Sequence, residues 1–126
     1  MTFRALLIIK AVVCLAFGFL LLSLPSSLFG VLGGSLGAAG AFAAREYGAA
    51  LFGTLMLTWF ARNAVESAAR RAILLHLFVY DALGVIVTLL AVLSGVLNAL
   101  GWGIVVVYLF FTVGSGYLLN PKRATA

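Results

Sequence analysis

Acids, histidine, cysteine and proline are all scarce in this 126-residue chain: three residues are Asp or Glu, one is His, one is Cys and two are Pro. A single cysteine, Cys14, excludes an internal disulfide. One His and one Cys are too few for a metal site with ordinary ligand numbers, so no metal is expected. No HExxH, GxSxG, CxxC or Walker sequence occurs, and no nucleophile, base and orienting group fall together. No catalytic residue is therefore expected, and the chain is read as more akin to a non-enzyme. Charge is the largest deficit. Only 9% of residues are charged and 65% are hydrophobic, against roughly a quarter and about half in a soluble domain. Eleven charged residues, eight basic and three acidic, could not keep so much apolar surface in water. Lipid is the expected solvent, and the mean hydropathy of +1.25 agrees.

What is present are long apolar runs. Crossing about 30 Å of hydrocarbon takes roughly 20 mainly apolar residues as a helix. Four stretches qualify: residues 3–24, stopped by Pro25; 43–61; 72–93; and 101–119, stopped by Asn120-Pro121. The expected fold is all-α, a four-transmembrane-helix bundle forming one domain over residues 1–126. The first run is long for a signal peptide and lacks a clean cleavage site, so it is expected to remain as a span. Residues 25–43 are uncharged and rich in Gly and Ala. They are expected to form a short extracytoplasmic hairpin, interfacial or re-entrant, because bare loop cannot face lipid. Ser26 or Ser27 could cap a short helix there. Its glycines, 30, 33, 34, 37 and 40, suit either close helix packing or a flexible loop.

The net charge of +5 is explained by topology, not nucleic acid, because the basic residues sit at the ends of apolar runs. Four spans put Arg4, Lys10, Arg62, Arg70, Arg71, Lys122 and Arg123 on one side and leave Arg45 alone on the other. Seven against one places both termini in the cytoplasm, and the expected location is a bacterial inner membrane. Tyr47 and Trp102 then fall near the outer edge, Trp59 and Tyr117 near the inner one.

The candidate site residues are the polar groups inside these runs. Asp81, in "HLFVYDALGV", lies ten residues beyond Arg71, roughly 15 Å deep at about 1.5 Å per residue. A charge at that depth costs about 2.5–3.5 kcal/mol, so Asp81 calls for neutralisation or a partner. Lys10, roughly 10 Å from the same edge, could reach Asp81 or snorkel to water. His76 lies one turn before Tyr80 on the same flank. Asp81, His76, Tyr80, Lys10 and Glu46 are thus the candidates for a ligand anchor or proton relay, with a structural ion pair as the alternative. Glu46 also reads as an acid in a first helical turn, favoured by the helix dipole. Asp81, Gly84, Thr88, Ala91 and Gly95 form one small or polar stripe, and Lys10, Cys14 and Gly18 another. The simplest bundle packs the two together.

The stretch "REYGAALFGTLMLTWFAR", residues 45–62, resembles the second helix of the DoxX-like small four-helix bacterial membrane proteins, through Glu46, Gly48, Gly53 and "WFAR". The resemblance implies a compact bundle of the same length and gives Glu46 added weight. Many members of that family have no known function, and the original ones are small membrane subunits linked to quinone-dependent sulphur oxidation. The leading expectation is a non-catalytic accessory or scaffolding subunit of a membrane complex. The alternative is a transporter or binder of a hydrophobic ligand that uses an intramembrane carboxylate. No cofactor is expected beyond a bound quinone or lipid. The expected partners are the bilayer, other membrane subunits or further copies of the chain, and no nucleic acid.

Overall fold

The computed structural model describes residues 1–122; Arg123, counted above among the basic residues, lies outside them. Among the described residues the protein is all helical, with no strand. Its elements are α1 (Phe3–Ser23), α2 (Pro25–Val31), α3 (Ala38–Ala61), α4 (Ala68–Leu93) and α5 (Gly101–Leu119). Three of them, α1, α4 and α5, are long and apolar enough to cross a membrane. The α3 helix is long, at 24 residues, but Arg45, Glu46 and interspersed Gly and Thr dilute its apolar character.

The starts and stops follow local chemistry. Thr2 caps α1 by accepting from the Ala5 amide at 3.1 Å, and Ser67 caps α4 by accepting from the Arg70 amide at 3.2 Å. Pro25 ends α1 and occupies the first position of α2, where its missing N–H is no loss. Neither Ser26 nor Ser27 caps α2; Leu24 precedes it without a side-chain bond. Two helices begin earlier than the apolar runs suggested. The α3 helix starts at Ala38 instead of residue 43, because the alanine-rich stretch before Arg45 favours helix strongly. The α4 helix starts at Ala68 instead of residue 72, on its Ser67 cap.

The bundle is two helix pairs. The α1 helix packs along α3 and α4 along α5, with a slighter contact between α1 and α5. Gly48 permits the first pairing: a Cβ there would come within 3.0 Å of the Leu22 amide nitrogen. At the end bearing the chain termini, Leu6, Leu7, Leu74, Leu77 and Phe111 form a closed core from α1, α4 and α5. At the opposite end the core is Cys14, Leu21, Ala44 and Leu51, flanked by half-buried aromatics.

The connection after α2 is a fastened turn. Gly33 adopts φ +85°, a conformation that favours glycine. Asn98, between α4 and α5, donates its amide to the Leu32 carbonyl at 2.7 Å and its side-chain Nδ2 to the Val31 carbonyl at 2.9 Å. The turn is thereby fastened over the end of the α4–α5 pair. Gly30 and Gly37 face open space, whereas Gly33 lies against Asn98, Gly34 against the Phe29 and Val96 carbonyls, and Gly40, within α3, against Leu36.

Candidate functional site

The two stripes read from the sequence do not pack along their length. Gly18 faces Phe52 and the Gly48 carbonyl on α3, and Gly84 faces Tyr108 on α5. They meet at one point, where Lys10 of α1 reaches Asp81 of α4 with Nζ 2.5 Å from Oδ1. Both residues are buried, at 3% and 0% exposure. The ammonium also lies 4.4 Å from the centre of the Phe111 ring and 5.0 Å from that of Tyr80. Ring faces favour a cation in a dry site, so Lys10 is held from three sides. Asp81 Oδ2 has no hydrogen-bond partner among the described residues. The attraction between the two charges offsets the desolvation that either would suffer alone.

One residue before Asp81, Tyr80 points to the neighbouring helices. Its hydroxyl donates to the Tyr47 hydroxyl of α3 at 2.6 Å, and Tyr47 is hydrogen-bonded in turn to the Tyr108 hydroxyl of α5. Three helices thus bring three phenols together beside the ion pair. Tyr47 was expected at the membrane edge. In the fold it is half-buried among the helices, with nine helical residues of α3 before it. No spacing within one run could expose this cluster, since each tyrosine comes from a different helix. The signal available was similar depth along three runs, which becomes visible only with the correct start of α3.

The other candidates are placed differently. His76 is exposed and stacks on Tyr80, with ring centres 6.0 Å apart, on the outer flank of the cluster. Glu46 is exposed on the outside of α3, away from Lys10 and Asp81. It does not stand in a first helical turn, because α3 begins eight residues earlier, at Ala38. Its neighbour Arg45 donates to the Leu22 carbonyl at 3.4 Å, tying α3 to the last turn of α1.

Beside the ion pair the two helix pairs separate and leave a cavity of about 110 Å³. Lys10, Cys14, Tyr47, Tyr80 and Tyr108 line it towards the bundle centre, and Leu28 and Phe29 of α2 close it from the turn end. An apolar cavity of about 150 Å³ takes up benzene, so this space suits a small ring or a few carbons of a chain. A groove of about 450 Å³ runs along α4 and shares Tyr47, Tyr80 and Tyr108 with the cavity. Its wall includes Leu83 and Val87, which are 56% and 66% exposed on the face of α4. The three tyrosines thus line both this partly open cavity and the more open groove. No group of His, Cys, Asp and Glu suited to a metal ion occurs among the described residues. Compared with known proteins, the chain matches no family model, no curated sequence and no solved structure.

Proposed function

We propose that the chain is a four-span integral protein of a bacterial inner membrane that binds a small lipid-phase molecule, a quinone or a lipid. The α3 helix is the fourth span, α2 with its turn forms the extracytoplasmic hairpin, and both termini are cytoplasmic. Support for the spans comes from the length of α3 and its packing along α1. Support for the orientation comes from the basic residues gathered at the terminal end. The resemblance to DoxX-like proteins fits this architecture, and Gly48, one of the residues that carry it, sits at the α1–α3 contact.

The observation that carries the binding reading is the cavity itself. It is apolar, lined by Lys10 and three tyrosines, and neighbours a groove along α4 that shares those tyrosines in its wall. Ligand sites have this composition: mostly hydrophobic walls with a few convergent polar groups. Gentle extraction followed by native mass spectrometry tests it. A stoichiometric lipid-phase molecule should travel with the protein and be displaced by an added quinone or phospholipid. A bare protein that takes up neither ends the reading.

An accessory or scaffolding role is the second reading. A shallow apolar groove between α1 and α3, lined by Leu15, Leu55, Met56 and Phe60, favours it as a seat for a partner helix. Under this reading a membrane partner co-purifies and is lost on Leu15→Trp, while the melting temperature is retained.

A further inference from the structure

We infer that the cavity admits only hydrocarbon, the end of an acyl or isoprenoid chain, while the polar head of the same molecule stays outside. This rests on the binding reading above and specifies which part of the ligand enters. Three observations lead to it.

The first is that the tyrosine hydroxyls are turned on one another. Tyr80 donates to Tyr47 at 2.6 Å, Tyr47 is hydrogen-bonded to Tyr108, and Tyr108 is hydrogen-bonded to Tyr80. Each hydroxyl carries one proton to donate. Three bonds in a closed triangle use all three, so none is left for a ligand. An oxygen or nitrogen acceptor brought into the cavity would give up its hydrogen bonds outside and gain none from the tyrosines.

The second is that Lys10 is occupied on every side. An ammonium has three N–H groups. One goes to Asp81 Oδ1 at 2.5 Å. The nitrogen also lies 4.4 Å and 5.0 Å from the centres of the Phe111 and Tyr80 rings, whose faces attract the rest of its charge. With Asp81 it forms a neutral pair, so a charged head would enter the cavity unmatched. Asp81 Oδ2, a buried acceptor without a partner among the described residues, does not line the cavity.

The third is the rest of the wall. Val13, Phe17, Leu21, Leu51 and Ile104 surround the space, and Cys14 adds a small, soft side chain. A buried water needs roughly two to four polar partners, and here the polar groups are already spent on one another, so the space is dry. At about 110 Å³ it holds a ring or a few carbons, and it is partly open. The end of a chain therefore enters while the rest of the molecule remains in lipid.

The test follows the labelled methyl groups of Leu28 and Val107, both in the cavity wall, by NMR of the full chain in detergent. The sample is equilibrated with benzene or pyridine vapour at the same fraction of saturation, at a pH where pyridine is uncharged. The two rings share a shape and differ in one acceptor nitrogen. Benzene should occupy the cavity about tenfold more readily. Tyr47→Phe leaves two hydroxyls that can use only one of their two protons on each other. A donor is thereby freed, and pyridine should gain about tenfold relative to benzene. Tyr108→Phe makes the same count and serves if the first variant fails to fold. Hexadecane and squalene, added as competitors for benzene, separate an acyl from an isoprenoid source: the stronger competitor names the chain. Pyridine seating as well as benzene in the parent would overturn the hydrocarbon site. A preference unchanged in the variant would overturn the closed triangle, and displacement by neither chain would overturn the chain end as occupant. If benzene itself leaves both methyl groups unmoved, the binding reading falls.

Discussion

Towards the chain termini, Leu6, Leu7, Leu77 and Phe111 are no more than 1% exposed and close the bundle completely. Towards the α2 turn, Cys14 and Ala44 take the place of such bulk, and tyrosines and phenylalanines stand around a space. Both halves are apolar, yet only one is filled. In lipid, apolar character does not by itself drive helices together; fitted packing and polar contacts do. Branched aliphatic side chains on α1 and α4, with Phe111 of α5, supply that fit at one end. At the other, three hydroxyls and a fastened turn hold the helices at a distance. The Lys10–Asp81 pair stands at the border and joins the two helix pairs where the packing changes.

This contrast can be broken at the border. Asp81→Ala leaves Lys10 buried without its counter-charge and should cost about 3–5 kcal/mol, a fall on the order of 10 °C in melting temperature in detergent. Replacing both partners, Lys10→Met with Asp81→Leu, should recover most of that loss. If the double variant is as unstable as the single one, the pair is not what joins the halves.

The contrast can also be sharpened by matched truncations. Leu77→Ala opens a void in the filled half and should cost about 2–5 kcal/mol. Leu28→Ala, at a half-buried residue already facing the cavity, should cost less than half as much under the same thermal scan. Equal losses would mean that the two ends are equally packed. Gly84→Ala forces the Tyr108 ring aside and should cost about 1–3 kcal/mol, with loss of the retained ligand in native mass spectrometry. The smallest effect is a gain: Cys14→Leu fills part of the cavity and should stabilise the protein by about 0.5–1 kcal/mol while excluding the ligand.

Much of the fold could be read from the chain because long apolar runs and prolines carry it. The ends of α1 and α5 fall within a residue of where Pro25 and Asn120-Pro121 place them. The start of α3 was obscured because alanine and glycine before Arg45 mark loop and helix alike when no polar cap announces the boundary. That one boundary hid the tyrosine cluster and put Glu46 in a first helical turn where it does not stand. The polar pair was legible in part: the depths of Lys10 and Asp81 can be counted from their flanking residues, and similar depth makes contact feasible. The faces on which they meet, and the cavity beside them, depend on how the helices rotate about their axes. A single run holds no information on that rotation. The Asn98 latch was equally hidden, since it joins segments 67 residues apart through backbone carbonyls that every sequence contains.

The difference between a filled and a hollow half is tested most directly by diffraction from crystals pressurised with xenon, which occupies dry apolar cavities. The strongest buried site should lie among Cys14, Leu28, Tyr80 and Tyr108, unless the tail of a retained lipid already fills that place and appears there instead. Featureless, close-packed density at that position, or a xenon atom seated beside Leu77 and Phe111, would contradict the account.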